Sequence, residues 1–307
     1  MSGYVGRLAP SPTGAMHLGN ARTFAIAWLR ARSCGGKVIL RIEDLDHPRD
    51  KPGAAVQMLE DLRWLGFDWD EEHVQSSRRP FYHATVERLR SHIYPCICSR
   101  RDVESAQSAP HEGDQLFYPG TCRGRFADWE SAAAACAPRT PCWRFRVPQN
   151  TTVEFTDVFA GRIKQDISST LGDFPLARDP DGAGYTLAAT ADDLAMGVTE
   201  VVRGDDLLPA TPSHILIADA LGHRPPDYCH VPLVVGPDGR RLAKRHGDTR
   251  LAAFRDAGVT PERVMGWIAR SCGWNARNEP ISLRRLIGRS PLETMPATAT
   301  VWSGSFE

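Results

Sequence analysis

The chain has 307 residues, which is enough for one large or two ordinary domains. Its 37 Lys and Arg balance 37 Asp and Glu, so it carries no formal net charge. Apolar residues at 42% and charged residues at 24% match a globular protein and exclude disordered, collagen-like and coiled-coil chains. No uncharged apolar run reaches the roughly 18 to 20 residues that span a bilayer, and the start lacks a signal region, so we expect a cytoplasmic protein.

The first 95 residues alternate strand and helix patterns. Residues 4–9 and 37–42 are typical of strands. Between them, residues 17–33 carry an apolar stripe at three- and four-residue steps, which predicts a helix that covers a parallel sheet. This βαβ pattern predicts the first half of an α/β domain with a Rossmann-type, doubly wound parallel sheet.

The periodicity fails over residues 96–141, where Gly, Pro and Ser accumulate and four Cys appear, three of them at positions 96, 98 and 122, and this predicts an inserted lobe. Short β-rich runs return after it. Residues 198–202 and 230–235 are then typical of buried strands around a helix at 211–221. We therefore place the second half of the α/β domain at residues 142–257.

The last part of the chain, residues 258–307, has helical patterns at 261–272 and 282–287, and its final dozen residues are expected to fray. The 49 residues that follow Gly258 (307 − 258) are fewer than a domain usually needs to fold alone. We predict a short helical segment that packs on the preceding domain.

A Pro- and Gly-rich turn at residues 7–20 joins the first strand to the first helix. Open α/β sheets bind ligands at the carboxyl ends of their strands, and a helix N-terminus offers free N–H groups to phosphate. His17 and Asn20 are three residues apart at that end, so both can face one phosphate, and Gly19 allows close approach. Alone, these residues slightly favour a capped helix start with a surface histidine.

A second element is the basic turn at residues 236–248. It places four cations among residues 240–245, where a mobile lysine is suited to charge that develops on a transferring phosphate. Residues 236–258 hold six Lys and Arg against three Asp, a local net charge of +3 (6 − 3) that suits RNA. Alone, the run is more typical of a solvated face or an RNA-backbone patch.

Together these segments resemble class I aminoacyl-tRNA synthetases in their glutamyl form. Residues 9–19 are similar to the HIGH motif, and Arg241-Leu242-Ala243-Lys244-Arg245 is similar to the KMSKS loop. The resemblance continues in family order through residues 41–44, 184–188 and 197–206.

The resemblance implies an ATP site with two departures. Asn20 stands where many members have the second histidine, and its amide can still donate to phosphate. Arg241 replaces the first loop lysine and Ala243 the loop serine, which leaves Lys244 for the α- and β-phosphates. Mg²⁺ is expected to accompany ATP. The implied catalytic residues are His17, Asn20 and Lys244, and the implied ATP contacts are Pro10, His17, Gly19, Asn20, Lys244 and Arg245.

Glutamate, the implied amino acid, brings an ammonium group and two carboxylates, so its pocket needs an anion and at least two cations. Arg7 and Glu43 sit at the carboxyl ends of the first two strands and Arg203 ends a later one, which places all three at one crevice. Each of them alone is more typical of a salt bridge at a strand end. Ser11 and Tyr185 match family positions that contact the substrate.

A catalytic core followed by only a short segment after Gly258 is an arrangement that resembles the glutamyl-Q tRNA(Asp) synthetase subfamily. In that subfamily the catalytic core lacks an anticodon-binding domain. The subfamily transfers activated glutamate to queuosine in the anticodon loop of tRNA(Asp), so the implied partners are ATP, L-glutamate and that tRNA, and we expect a monomer. Two alternatives stay open. One is a truncated core that charges a tRNA 3′ end, and the other is a non-catalytic RNA-binding paralogue, whose only support is the altered loop residues Arg241 and Ala243.

The inserted lobe carries a cysteine cluster. Three thiolates from Cys96, Cys98 and Cys122 could wrap a tetrahedral Zn²⁺ with one position open, although three reduced structural thiols fit these spacings as well. His92 or His111 would be the more ordinary fourth ligand. The subfamily resemblance instead implies Tyr118 as the fourth ligand of a structural zinc. The other five cysteines are expected to be isolated and to pack as small hydrophobes.

Overall fold

The computed structural model describes residues 3–45, 53–105, 117–177, 182–242, 247–289 and 292–306. Its first part alternates strand and helix, as predicted. The elements are β1 (Val5–Leu8), α1 (Leu18–Ser33), β2 (Lys37–Ile42), α2 (Ala54–Trp64), β3 (Glu71–Val74) and α3 (Arg79–Arg88).

Helix α1 packs on a parallel sheet formed by β1, β2 and β3 in that order. Its apolar stripe is fully buried, including Ala21, Ala25 and Trp28. Trp28 also donates its indole N–H to the carbonyl of Asp68 at 2.9 Å, so its one polar atom is satisfied. Burying a large apolar side chain stabilises a fold by about 1.5–3 kcal/mol, so this stripe fixes α1 and the turn before it over the sheet.

The predicted insertion lies between two antiparallel strands, β4 (Ile93–Cys96) and β5 (Cys142–Phe145), which are paired so that Cys96 lies opposite Cys142. Between them are α4 (Arg100–Ser105) and α5 (Trp129–Cys136). After β5 come β6 (Thr152–Asp157), β7 (Gly161–Asp166), α6 (Ile167–Thr170) and β8 (Phe174–Ala177). β6 pairs with β7, and β8 pairs with β5.

The elements of the predicted second half return to the first sheet. They are α7 (Tyr185–Ala195), β9 (Glu200–Gly204), α8 (Thr211–Ala220), β10 (Asp227–Val231) and β11 (Val234–Val235). β10 is parallel to β9, and β9 lies beside β1, where the N–H of Thr199 donates to the carbonyl of Val5 at 2.9 Å.

Successive residues of these strands enter two different apolar cores. Val201 belongs to one core and Val202 to the other, and Ile39 and Leu40 of β2 are divided in the same way. A parallel sheet covered on both faces is the doubly wound arrangement, so the predicted α/β fold class is confirmed.

The C-terminal part contains α9 (Leu251–Asp256), α10 (Pro261–Ser271), a 3₁₀ helix at Leu283–Leu286 and β12 (Thr300–Val301). The prediction of frayed final residues is wrong for the described range up to 306. β12 pairs with β11, and the buried Trp302 packs against Phe254 and Trp267. Aromatic side chains bury enough area to hold such a short strand in place. None of the described helices is long and apolar enough to cross a membrane.

Candidate active site

A cavity of about 660 Å³ opens at the carboxyl ends of β1, β2 and β9. This is the edge at which a doubly wound sheet binds ligands. The cavity brings together every predicted ATP and glutamate contact that lies within the described residues. These are Arg7, Pro10, Ser11, His17, Gly19, Asn20, Glu43, Tyr185 and Arg203. The predicted residues Lys244 and Arg245 lie outside the described residues.

His17 and Asn20 cap the N-terminus of α1 reciprocally. The Nδ1 atom of His17 accepts from the N–H of Gly19 at 3.1 Å, and the Oδ1 atom of Asn20 accepts from the N–H of His17 at 3.1 Å. Since Nδ1 is an acceptor, the neutral imidazole carries its proton on Nε2. Burial and then the charge of Arg241 lower the pKa of His17, which favours this neutral form. Each capping side chain therefore keeps a donor, Nε2 or Nδ2, for a phosphate.

Gly19 is required by the imidazole of His17. A Cβ atom at position 19 would lie 3.1 Å from the ring of His17 and 3.7 Å from Val234. A side chain there would push the ring from its capping position.

Backbone hydrogen bonds hold both ends of the basic turn at the cavity. On one side, the N–H of Leu18 donates to the carbonyl of Thr249 at 3.0 Å, and the N–H of Leu251 donates to the carbonyl of Met16 at 2.9 Å. On the other side, Arg241 forms a bridge with Val235 and lines the cavity. The intervening loop thus begins and ends beside the capped end of α1.

A buried charge network surrounds Glu43, which is 8% exposed. Arg41 donates to Glu43 at 2.9 Å and to Asp193 at 2.6 Å, and Arg7 lies 3.6 Å from the same Asp193 oxygen. Burial raises the pKa of Glu43 against the opposing effect of Arg41. Within the described residues, the buried Nε atom of Arg7 has no hydrogen-bond partner. The pocket thus offers one carboxylate and one incompletely bonded guanidinium to a ligand.

Arg203 also lines the cavity and is buried near the end of β9. It is surrounded by His214, His230 and Thr211, and no carboxylate pairs with it in the described part of the chain. The exposed Tyr185 places its ring edge-on against His214, with 6.2 Å between ring centroids. Ser11 is exposed on the cavity wall.

Sequence reasoning missed three buried groups behind these walls: Arg41, Asp193 and the His214–His230 pair. The signal for His230 was its place in a predicted strand. In the parallel register of β9 and β10, it lies directly opposite Arg203. No local pattern connects Asp193 to Arg41, since 152 residues separate them.

The predicted zinc residues form a second cluster, in the segment predicted to be an inserted lobe. The Sγ atoms of Cys96, Cys98 and Cys122 all lie within 4.8 Å of one another. The hydroxyl of Tyr118 lies 3.3 Å from Cys96 Sγ and 3.7 Å from Cys98 Sγ, and it accepts from the N–H of Cys122 at 2.8 Å. Three thiols and one phenol thus converge as a tetrahedral zinc site requires.

Of the two more ordinary fourth ligands, the described one is not in this cluster. His92 stacks on Phe145 instead, with 6.0 Å between ring centroids, and His111 lies outside the described residues. The prediction that the other cysteines are isolated is wrong for Cys142, because strand pairing places it against Cys96. The hydrogen bond between the two thiols is the main cause that lowers the pKa of Cys96. Cys34 is exposed, whereas Cys136, Cys229 and Cys272 are buried as expected.

Arg144 supplies a buried positive charge beside the cluster. Its guanidinium carbon lies 3.8 Å from the centre of the Tyr118 ring, and Nη1 donates to the backbone carbonyl of Asp173 at 2.8 Å. Within the described residues it forms no ion pair with a carboxylate. Its Nε atom also lacks a hydrogen-bond partner there. Three thiolates around one Zn²⁺ carry a net charge of −1, so an unpaired buried cation is the complement that such a centre needs. The residues present therefore fit a zinc ion.

Comparison with known protein families gives a match over nearly the whole chain. The family described as tRNA synthetases class I (E and Q), catalytic domain, matches residues 5–297. This range includes both the cavity residues and the cysteine cluster.

Individual relatives are similar over comparable lengths. The chain is 49% identical to the glutamyl-Q tRNA(Asp) synthetase of Rhodopirellula baltica, over 89% of this chain and 86% of that protein. It is 45% identical to the protein of the same name from Symbiobacterium thermophilum, over 95% and 93%. A glutamate tRNA ligase from Elizabethkingia meningosepticum, solved in complex with its amino acid, superposes with a TM-score of 0.83 at 27% identity, covering 100% of this chain and 68% of that one.

Proposed function

This chain belongs to the family of class I tRNA synthetase catalytic domains for glutamate and glutamine, and we propose that it activates L-glutamate with ATP and transfers the glutamyl group to queuosine in the anticodon loop of tRNA(Asp). The observation that carries the activation step is the single cavity that joins the capped start of α1 to the pocket of Arg7, Glu43 and Arg203. The choice of queuosine is supported by the names of the relatives.

The first half-reaction is in-line attack of the glutamate α-carboxylate on the α-phosphorus of ATP, which releases pyrophosphate and leaves glutamyl-adenylate. It needs no protein nucleophile, so catalysis depends on positioning and on charge stabilisation. His17 and Asn20 offer donors at the positive end of the α1 dipole. Lys244 is assigned to the α- and β-phosphates, with Arg245 beside it and Mg²⁺ carried by ATP.

The amino acid occupies the other end of the cavity. The carboxylate of Glu43 accepts hydrogen bonds from the ammonium group, while Arg7 and Arg203 bind the two carboxylates. Burial raises the pKa of Glu43, and a bound ammonium group would oppose this shift because a nearby cation favours the carboxylate. Ser11 and Tyr185 are assigned supporting hydrogen bonds from the cavity wall.

In the second half-reaction a hydroxyl of the queuosine cyclopentenediol attacks the mixed anhydride and displaces AMP. The basic turn beside the cavity is suited to the RNA backbone.

We also propose that the protein is a monomer in the cytoplasm. Its catalytic domain would consist of two halves, at 1–95 and 142–257, and would be followed by a C-terminal segment at 258–307.

We expect glutamate activation without any RNA, because the pocket residues are already held in bonded positions. ATP–pyrophosphate exchange on RNase-treated protein measures this step. Transfer is measured with radiolabelled glutamate and tRNA(Asp) with or without queuosine. Label on the queuosine-containing tRNA alone, retained after removal of its 3′ nucleotide, is the expected result.

Other outcomes select the rival functions. Exchange that requires tRNA, or label lost with the 3′ nucleotide, indicates a core that charges the 3′ end. No exchange and no label indicates a non-catalytic RNA-binding protein.

We further propose that Cys96, Cys98, Cys122 and Tyr118 hold a structural zinc that fixes the inserted lobe, with Arg144 balancing its charge.

Cys122→Ser is expected to remove one equivalent of zinc per chain and to lower the thermal unfolding midpoint, because a structural metal contributes folding free energy directly. Metal analysis and thermal unfolding are the measurements. Cys136→Ser, in the same lobe but outside the cluster, is the control and should keep its zinc. Wild-type protein purified without zinc would contradict the proposal.

A further inference from the structure

The guanidinium of Arg203 is held almost entirely by neutral groups. Its Nε atom donates to His230 Nε2 at 3.0 Å, and Nη1 donates to His214 Nε2 at 3.2 Å. Its Nη2 atom donates to the hydroxyl of Thr211 at 2.8 Å and to the carbonyl of Leu207 at 3.3 Å. These contacts use four of the five N–H groups of the side chain.

The contacts with arginine fix the tautomers of both histidines. An arginine can only donate, so each Nε2 atom must be an unprotonated acceptor, and each neutral ring carries its proton on Nδ1. His214 Nδ1 lies 2.8 Å from the hydroxyl of Thr190. Thr190 donates its own proton to the carbonyl of Thr186 at 2.7 Å and therefore accepts from His214.

His230 is oriented from a different element. Its Nδ1 atom lies 2.6 Å from a carboxylate oxygen of Asp157, at the end of β6, and its backbone N–H donates to the same carboxylate at 3.1 Å. Both histidines are at most 2% exposed. Hydrogen bonds inside this buried network are not weakened by competition with water.

The electrostatic surroundings favour the neutral form of both rings. Burial and then Arg203 lower the pKa of His214 well below its ordinary value. Burial also lowers the pKa of His230, although its hydrogen bond to Asp157 opposes the shift. The charged and titratable groups that face the pair are Arg7, Arg41, Asp157, Tyr185, Arg203, Asp205 and Tyr228.

We propose that His214 and His230 are positioning residues, which hold Arg203 through their Nε2 lone pairs so that one Nη1 N–H is presented to a carboxylate of the substrate. The inference rests on the proposed function, because it takes Arg203 as a glutamate ligand. Protonation of either ring would place an N–H against the guanidinium and remove its acceptor. A fixed orientation reduces the ordering that binding would otherwise require.

Paired variants of His214 test this role. His214→Leu keeps the approximate volume but removes the acceptor, and it is expected to raise the KM for glutamate roughly 10- to 100-fold, the effect of losing one charged hydrogen bond. The KM for ATP should stay unchanged. His214→Gln keeps an acceptor oxygen and is expected to recover most of the loss. His223→Leu, at an exposed histidine after α8, is the control for general effects of histidine removal.

Other outcomes overturn the proposal. Equal glutamate KM values for His214→Leu and wild type would show that Arg203 needs no such support. Equal losses in the Leu and Gln variants, with a parallel rise in the KM for ATP, would indicate a merely structural role. If the wild-type protein shows no glutamate-dependent exchange, the proposed function itself fails. Normal exchange in the wild type together with an unchanged glutamate KM in His214→Leu would contradict only the positioning role.

Nitrogen-15 NMR of the histidine rings provides a readout that does not depend on activity. The signals of the two rings are assigned by their loss in His214→Gln and in His230→Gln. In the wild-type protein these signals should show neutral rings with the proton on Nδ1. Because the fold lowers both pKa values, the neutral form of both rings should predominate from about pH 8 down to about pH 6.5, the ordinary histidine pKa. The contribution should be lost only as the pH falls through the lowered values. Rings protonated on Nε2 within that range would contradict the proposal.

Discussion

Arg203→Ala is expected to weaken glutamate binding by about 2–5 kcal/mol, the usual effect of removing one member of a buried, hydrogen-bonded charge pair. The variant leaves a substrate carboxylate without its cation. It also leaves the Nε2 atoms of His214 and His230 without their donor. The expected signature is a rise in the KM for glutamate in ATP–pyrophosphate exchange, with little change in the KM for ATP. Arg224→Ala, at a highly exposed arginine, is the matched control.

A comparison with Arg7→Ala identifies which carboxylate each arginine binds. Glutamine differs from glutamate only in its side-chain amide, so it should rescue the variant that lost the cation for the side-chain carboxylate. It should not rescue the other variant. Normal glutamate activation by both variants would show that the pocket assignment is wrong.

Lys244→Ala is expected to lower the rate of adenylate formation about 10²- to 10³-fold, the usual loss on removing a group that stabilises transition-state charge. The KM for glutamate should change little, because a cation that meets charge growing on pyrophosphate acts mainly in the transition state. Exchange kinetics at saturating glutamate measure the effect.

Arg240→Ala tests whether any cation of the basic turn would serve. Arg240 lies in the same turn, and its backbone carbonyl accepts from Gly236, so its removal changes the local charge without removing the assigned residue. The control should lower the rate far less than Lys244→Ala. Equal losses would indicate that the turn acts only through its total charge.

Several features could be predicted from the sequence because they are encoded locally. The βαβ start follows from apolar periodicity, since one face of α1 must be buried on the sheet. The capped end of α1 with His17 and Asn20 follows from their spacing, because residues three apart share a helix face. Parallel strands place Arg7, Glu43 and Arg203 at one edge, which is a property of the topology and needs no coordinates.

Other features depended on tertiary structure because they join residues that are distant in the chain. The side-chain acceptors of Arg203 come from α8 and β10, and the orientation of His230 comes from Asp157, 73 residues away. Cys142 meets Cys96 only through the register of β4 and β5, and β12 is held by its pairing with β11. A local pattern specifies which face of an element is buried, whereas strand register and packing decide which buried groups meet. The chemical types in the pocket were therefore readable from the sequence, and their hydrogen-bond partners, tautomers and counter-charges were decided by the fold.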